Sequence, residues 1–596
     1  MTEPLSTTRR DEPGVVIPIW DGELDDFETE ATAFRAQQRE ETEFMLYRLR
    51  QGVYGQRQPD VHMNRIKLPM GGVTSDQLDC FAEITETFAP LRKGHITTRQ
   101  NIQVHFVPLD QMPDMLRVLG RAGLSSREAC GNTVRNVTAD PWAGISENEV
   151  FDPTPYAGAF VRYWVRNAIA QLLPRKFKVY FTGREEDSAI AAIHDLAFFA
   201  QVREIDGEEV RGFRVMVGGG LSTAAKEALL LADFVPMSEF LRVSEAVIRI
   251  FNAADELRKN ILKARLKFLV HRVGEEAFRE LVEEELKKGW AKESPPLEEL
   301  LYLDDEEADD RALPVAPPSA NGDRAEFERF LTANVRPQLQ SGYSAVEASV
   351  PQGDLTPEQF RGLAQILRDY GRERARTTPQ QNVVLRWIPN ECVYAVWREL
   401  DKLGLGAADA QEIEDVVSCP GTDSCKLGIT SSMGLNRAVQ ERVRSMAIDD
   451  PLTRKMRIHM SGCPNSCGQH HIADLGFHGA AIKVGARQIP AYHMFVAGTY
   501  RTTEMRLGKL VPRVRIPAKR VPDAVERVLN LYHANRDGDE ELFSAWVDRV
   551  GMSPIQEAVG DLTLPPEFSA DTLPMFIDWD REDIYILQRG EGECAV

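Results

Sequence analysis

The sequence predicts an α+β fold built from an internal duplication, each half a β-α-β-α unit followed by a mixed-sheet domain. Three observations carry this expectation: a long repeat, the same order of strand and helix patterns in both copies, and a cysteine set confined to the second copy.

The repeat is read from four blocks in one order. PMGGVTSDQ, starting at Pro69, reads against PQGDLTPEQ, starting at Pro351, an offset of 282. TTRQNIQVHFVP (97–108) reads against TTPQQNVVLRWIP (377–389), with one extra residue in the second copy. LPRKFKVYFTG (173–183) and LTRKMRIHMSG (452–462) lie 279 apart, as do NVTADP (136–141) and DVVSCP (415–420). Unrelated strands of similar type explain one such block and fail to explain all of them. Two related halves that pack together form a pseudo-twofold body, and their junction is a common place for a ligand.

The elements follow in chain order. Residues 1–50 form a polar N-terminal extension with a helical pattern over 27–50. Residues 51–124 form the first half-domain, where NRIKLPM, SDQLDCFAEITETFA, HITTRQNIQVHFVP and DMLRVLGRAG alternate strand and helix periods. Residues 125–290 form the first mixed-sheet domain, with strands near 176–182 and 211–218 and amphipathic helices over 238–269 and 275–288. Residues 291–325, AKESPPLEELLYLDDEEADDRALPVAPPSANGDRA, are acidic and Pro-rich and read as a linker. Residues 326–407 and 408–540 repeat the two domains, and 541–596 read as a tail whose acidic end is GEGECAV.

Composition bounds the function. A chain of 596 residues with 43% hydrophobic and 27% charged residues is globular and large enough for several domains. The balance of 71 basic against 91 acidic residues, net −20, argues against nucleic acid as the main partner. No run approaches the ~18 apolar residues of a membrane span. Arg9 and Arg10 are followed by Asp11, Glu12 and Pro13 instead of an apolar export segment. The expected address is cytoplasmic, with no membrane partner.

Eight cysteines are present: Cys80, Cys130, Cys392, Cys419, Cys425, Cys463, Cys467 and Cys594. In a reducing compartment these are thiols or metal ligands. Cys80 lies in an apolar helical pattern and is expected in the core, as are Cys130 and Cys392. Cys419-x5-Cys425 and Cys463-x3-Cys467 form two pairs that suit a four-thiolate site. The wide first gap fits structural zinc poorly. Spacing alone leaves an iron–sulfur cluster, zinc and unconnected core thiols open. The first copy carries Asp140 where the second has Cys419, and Arg184 where it has Cys463, so one centre is expected.

Basic stations accompany the thiols. In Pro174–Phe181, Lys176, Lys178 and Tyr180 share one strand face and Phe177, Val179 and Phe181 the other. Lys455, Arg457 and His459 repeat that face in the second copy and suggest an anion environment there too. Arg99 sits in TTRQNIQ and Arg135 in the V-R-N of 134–136. Arg258, Lys263, Arg265 and Lys267 are read as neighbours on one helix, either a solvated face or a grip on a polycarboxylate.

TTRQNIQVH, V-R-N, LPRKFK, VGGGLS (217–222), CPGTDSC and SGCPNSCG together resemble the sirohaem-containing sulfite/nitrite reductases over about residues 50–535. The resemblance implies that family's duplicated fold with ferredoxin-like half-domains. It implies a [4Fe–4S] cluster on Cys419, Cys425, Cys463 and Cys467, with Cys467 matching the thiolate that bridges to the sirohaem iron. It implies that Arg99, Arg135, Lys176 and Lys178 surround the substrate anion. The tetrapyrrole would be lined by Thr98, Gln100, Asn101, Gln103, Arg175, Gly218, Gly219, Arg258, Lys263 and Arg265.

Phe177-Lys178 stands where nitrite-using plant-type members carry Trp-Asn and sulfite-using members carry Phe-Lys, which favours sulfite over nitrite. Asp140 stands where some relatives carry a Cys before the Pro, so no Tyr–Cys crosslink is expected. No G-x-G-x-x-G follows a strand, so electrons are expected from a separate ferredoxin or flavoprotein. A metal-stapled scaffold without turnover is the competing non-enzyme reading. The sequence says nothing of oligomeric state.

Overall fold

A computed structural model describes residues 10–308, 324–500, 505–590 and 592–593. Its first unit runs β1 (Val53–Gly55), β2 (Val61–Ile66), β3 (Gly72–Thr74), helix Ser75–Thr87, β4 (Gly94–Ile96), β5 (Ile102–Pro108) and helix Met112–Arg121. The mixed-sheet domain follows with β6 (Thr138–Ala139), β7 (Val179–Thr182), β8 (Leu196–Ile205), β9 (Glu208–Val217), β10 (Leu229–Pro236) and helix Phe240–Ala253.

The second half repeats both. Its unit runs β11 (Val335–Pro337), β12 (Tyr343–Ala348), β13 (Asp354–Leu355), helix Pro357–Tyr370, β14 (Arg374–Thr377), β15 (Val383–Pro389) and helix Val393–Lys402. Its sheet domain runs β16 (Val417–Ser418), β17 (Ile458–Ser461), β18 (Leu475–Val484), β19 (Arg487–Val496), β20 (Lys509–Pro517) and helix Val521–Asn535. The repeated sequence blocks therefore fall on equivalent elements, and the duplicated α+β architecture holds.

The halves exchange strands. The first unit's sheet has the order β1-β2-β5-β4-β13 and the second's β11-β12-β15-β14-β3, so each is completed by a short strand of the other half. Asp354 pairs with His95, and Arg374 with Thr74. The helices after the swapped strands start on identical capping boxes. Thr74 Oγ1 accepts from Gln77 N at 3.3 Å and Gln77 Oε1 from Thr74 N at 3.2 Å; Thr356 and Gln359 repeat this at 3.3 and 2.9 Å. Phe81 and Phe360 on these helices stack at 5.6 Å across the junction and are fully buried. Each such ring contributes about 1.5–3 kcal/mol of burial energy. Gly71 (φ +75°) lets the first half approach the second, since a Cβ there would meet Thr377 O at 2.4 Å.

The two mixed sheets share one plan. β6, β7 and β8 are parallel and β8, β9 and β10 antiparallel; β16–β20 repeat it. Loops leave the ends of the short parallel strands, and these carry the site.

Several expectations are corrected. The helix expected over 27–50 is two helices, Asp21–Arg35 and Glu41–Arg50, broken where Gln37 takes φ 60°. The helix expected over 238–269 stops at Ala253 and resumes only at Leu266, after the short turns Asp255–Arg258 and Ile261–Lys263. Part of the expected linker is packed: Leu301 and Tyr302 are buried, and Asp304 and Glu306 pair with Arg374 and Arg386. Residues 309–323 lie outside the described residues, as does Cys594. The expected tail is folded onto the second half through helices Phe543–Val550 and Ser553–Val559 and a strap that reaches Glu593. Cys80, Cys130 and Cys392 are core thiols as expected.

Candidate active site

The four paired cysteines converge. Burial raises the Cys463 thiol well above its ordinary value, and the charges of Cys467, Cys419 and Cys425 add to the rise. Cys419 is pushed to about 12 by burial and then by Cys467. Cys425 is raised by burial and Cys467 in the same way. Burial and the neighbouring sulfurs raise Cys419, Cys425 and Cys463, and a cation placed among the four would relieve that repulsion. Among the described residues no three His, Cys, Asp or Glu side chains stand at single-ion spacing, so the set is drawn together more widely than one zinc requires.

The local backbone explains the approach. A Cβ on Gly462 would fall 2.6 Å from Gly421 Cα, so the two cysteine loops touch only because both are glycine there. Gly462 N donates to Cys419 Sγ at 3.3 Å, the kind of N–H···S contact that stabilises a thiolate cluster. Gly468 is needed as well, because its Cβ would meet Met460 O at 2.1 Å.

Cys467, the one exposed member of the four, faces the cations. Lys176 is lowered to about 8 by burial, then by the repulsion of Arg175, with the Cys467 thiolate opposing. Lys178 is lowered further by burial, Lys176, Arg265 and Arg99, again opposed by Cys467. Arg99 is lowered to about 9 by burial, with Arg265 and Arg135 also acting against its charge. Lys267 falls to about 7 through burial and Arg265. These groups repel one another because they lack enough acid partners, and an incoming polyanion removes the strain.

Neighbours fix each of them. Arg99 leaves the turn between β4 and β5, donates to Thr138 Oγ1 at 3.0 Å and Asn136 O at 2.5 Å, and contacts His194. His194 Nδ1 donates to Ile190 O at 2.7 Å, so Nε2 accepts from Arg99, and burial keeps this ring neutral. Arg135 donates to Gly131 O at 2.9 Å and Ala129 O at 3.0 Å. Asp195 accepts from Lys178 N at 2.8 Å and takes both arms of Arg265 at 3.1 and 2.7 Å. Lys267 Nζ donates to Leu221 O at 2.8 Å.

The other expected residues divide. Thr98 Oγ1 donates to Cys467 O at 2.8 Å, joining the first half to the thiol loop. Asn101 is buried and its Oδ1 lacks a partner. Gly219 backs onto the turn 192–195 that precedes β8; a Cβ would lie 2.1 Å from Ala192 O, and Gly218 takes φ +81°. Gln100 is instead a clasp between halves, donating to Thr377 O at 2.9 Å and accepting from Ala139 N at 3.0 Å. Gln103 lies one layer back, its amide oxygen oriented to accept from Arg65 at 2.7 and 2.8 Å. Arg258 and Lys263 are exposed and do not share a helix with Arg265; Arg258 donates to Leu172 O at 3.1 Å and Asn252 Oδ1 at 2.8 Å.

The second-copy cations do not repeat the site. Lys455 is exposed, and Arg457 is buried beside Asp415, Glu347 and Asp474. Sequence reading missed Asp195 and His194. The signal was available: HDLAFF (194–199) reads against ADLGFH (473–478) at the same offset of 279. A separate cavity of about 400 Å³ is lined by Arg374, Arg376 and Arg386, but Asp304 and Glu306 already line it as counter-charges.

The residues fit a thiolate-held iron–sulfur cluster beside a carboxylate-rich tetrapyrrole. The donor set is four thiols, the facing Lys176 and Lys178 have mainly other cations about them, and the buried atoms Asn101 Oδ1, Gln469 Oε1 and His470 Nε2 have no partner. No described helix is long and apolar enough to cross a membrane.

Comparisons with known proteins agree with this geometry. The family described as "Nitrite and sulphite reductase 4Fe-4S domain" matches residues 130–289 and 410–565. "Nitrite/Sulfite reductase ferredoxin-like half domain" matches 54–122 and 336–403. "Sulfite reductase [ferredoxin] 1" of Mycolicibacterium paratuberculosis is 29% identical over 490 residues, covering 82% of each chain. "Ferredoxin--nitrite reductase" of Synechococcus elongatus is 31% identical over 446 residues, 74% of this chain and 80% of its own. The solved structure of Mycobacterium tuberculosis NirA protein superposes with a TM-score of 0.72 at 24% identity, covering 90% of this chain and 98% of its own, which speaks to fold.

Proposed function

The chain belongs to the nitrite and sulphite reductase family, and from that premise we propose that it reduces sulfite to sulfide, with nitrite to ammonia as the second reading. It is an oxidoreductase that takes six electrons per anion from an external protein. Relatives named for ferredoxin support a donor of that kind. The seven cysteines among the described residues are all free thiols, which suits a reducing cytoplasm.

We assign Cys419, Cys425, Cys463 and Cys467 as the cluster ligands. Cys467 also serves as the link to the tetrapyrrole, because it alone faces both the other thiols and the lysine pair. When bound, the cluster and the sirohaem iron supply electrons one at a time and an open coordination position for the anion. Arg175, Arg265 and Lys267 would meet the sirohaem carboxylates, with Gly218 and Gly219 letting their loop pack close against Val270 and Ala192.

The chain's own work is to hold charge and protons. Arg99, Arg135, Lys176 and Lys178 bind the oxyanion and stabilise charge as each S–O or N–O bond breaks. Every oxygen leaves as water, so protons must arrive with electrons. Arg99 keeps its proton below about pH 9 and acts as a fixed donor. Lys176, lowered to about 8, sits closer to working pH and is the better acid. His194 remains neutral and holds Arg99 in place without adding charge.

The observation that carries the reading is the shared placement of Cys467, against the thiols on one side and Lys176 and Lys178 on the other. Lys178 also carries the substrate choice, since a second ammonium suits the dianion sulfite better than nitrite. Anaerobic turnover of both anions with reduced methyl viologen tests this. Lys178→Asn is expected to raise the nitrite-to-sulfite turnover ratio about tenfold, the effect of one charge-assisted contact of ~1.4 kcal/mol. A ratio that stays at the wild-type value overturns sulfite as the preferred substrate.

A further inference from the structure

The loop that carries Cys425 is held from outside along its length. Asp423 O accepts from Gln58 Nε2 at 3.0 Å, and Ser424 O from Arg57 N at 3.0 Å. Lys426 O accepts from Gly590 N at 2.9 Å, Gly428 O from Arg57 Nη2 at 2.8 Å, and Ile429 O from Tyr585 Oη at 2.9 Å. Ser431 N, where the next helix begins, donates to Asp578 Oδ2 at 2.8 Å.

Two remote segments supply these groups. One is the loop between β1 and β2 of the first half. The other is a strap, residues 577–590 with 592–593, which crosses back over the thiol loop after the second half is complete. Arg57 ties them together, because its Nη2 also donates to Gln588 O at 2.9 Å. The strap's far end is latched. Glu593 is 6% exposed and accepts from Arg48 Nη1 and Nη2 at 2.7 and 2.8 Å, from Gly55 N at 2.7 Å and from Lys426 Nζ at 3.0 Å. Lys426 follows Cys425 directly, so the latch grips the loop itself.

Beyond the short turn Gly421–Asp423 the loop has no regular structure before Ser432. Such a segment is mobile unless tied down. A ligand on it holds its metal only as firmly as the surrounding hydrogen bonds hold the loop. With its carbonyls pinned outward, the Cys425 thiol is set at a fixed distance from the other three, and water is kept off that face.

We propose that Arg57 and Glu593 are positioning residues for Cys425, acting through this strap to set how firmly the cluster is retained and at what potential it accepts an electron. The proposal rests on the reading that the four thiols hold a [4Fe–4S] cluster. Unlatching the strap admits water and, in Glu593→Gln, also removes a negative charge. Both favour the more anionic reduced cluster, so the midpoint potential rises.

The test uses the full chain reconstituted anaerobically with iron and sulfide, as wild type, Glu593→Gln, Arg57→Ala and Arg57→Lys. Iron loss to a chelator, an EPR-monitored redox titration and melting of the iron-free protein are measured. Glu593→Gln and Arg57→Ala are expected to lose iron about tenfold faster, with the potential of Glu593→Gln shifted upward. Arg57→Lys, which replaces a fork by a single donor head, falls between. Should Arg57→Ala fail to fold, the near-isosteric Glu593→Gln decides. Variants that match wild type in both iron loss and potential overturn the proposal alone. A wild type that takes up no iron overturns the reading of the thiols, and the proposal with it.

Discussion

The two copies of the mixed-sheet domain answer the same geometric problem in opposite ways. Where the second copy has Cys419 and Cys463, the first has Asp140 and Arg184, joined at 2.5 and 2.9 Å with Asp140 fully buried. The first copy neutralises itself and needs no guest. The second sets four thiols against one another. The cations divide in the reverse sense. Arg457 of the second copy has Asp415, Glu347 and Asp474 about it, whereas Lys176 and Lys178 of the first have mainly other cations. A site is therefore found where charge demand is left unmet, and the duplication shows what satisfied versions look like. The useful centre lies between the halves because each contributes the unmet part that the other lacks.

The largest expected effect breaks the unmet side. Cys463→Ser removes one ligand where the first copy has Arg184. We expect bound acid-labile sulfide to fall to background and anion reduction with it, while the protein still folds, since its core clusters do not use this thiol. A Cys463→Ser protein with full sulfide content and turnover would refute the ligand assignment.

The next effect breaks the satisfied side. Asp140→Ala leaves the Arg184 guanidinium, 9% exposed, with only the exposed Glu186 and the more distant Asp187 in place of its buried, two-pronged partner. Removing one member of a buried pair costs about 3–5 kcal/mol. Urea unfolding of the iron-free protein should show that loss, with cluster content after reconstitution unchanged. A loss below about 1 kcal/mol would mean that the first copy is not held together by self-neutralisation.

The same contrast explains what could be read from the chain. The duplication was visible because its blocks lie on β2 to β5, on β6 and β7, and on their partners, where the backbone geometry is shared. The thiols and most of the cations were visible because they are local motifs. The broken helix after Ala253 was not, because Leu257, Leu266 and Val270 continue the apolar pattern into one core across the break. Arg258 and Lys263 were misplaced for that reason. The strap was invisible for a different one: Glu593 lies 545 positions from Arg48, and an acidic terminal composition carries no trace of a partner that remote. Glu306 misled in the same way, since its arginines lie up to 80 residues downstream.

The smallest effect sharpens the comparison at its acids. Each half is followed by a carboxylate that closes on arginine: Glu306, half-buried, on Arg386 after the first, and Glu593, buried, on Arg48 after the second. Burial alone would raise both, yet Arg386 and Arg376 pull Glu306, and Arg48 pulls Glu593, to about 2. A folded value below the unfolded one means that the stabilisation is fully present above about pH 4.5 and is lost as the pH falls through about 2. For Glu306 this amounts to about 3 kcal/mol, at the lower end of the Asp140 effect because Glu306 can still reach water. The gap in unfolding free energy between iron-free wild type and Glu306→Gln should therefore be near 3 kcal/mol at pH 7 and shrink steadily below pH 4.5. A gap that stays constant between pH 7 and pH 3 would show that the amide replaces the carboxylate's hydrogen bonds and that charge at this closure contributes nothing. The contrast between halves would then rest on Asp140 and Arg184 alone.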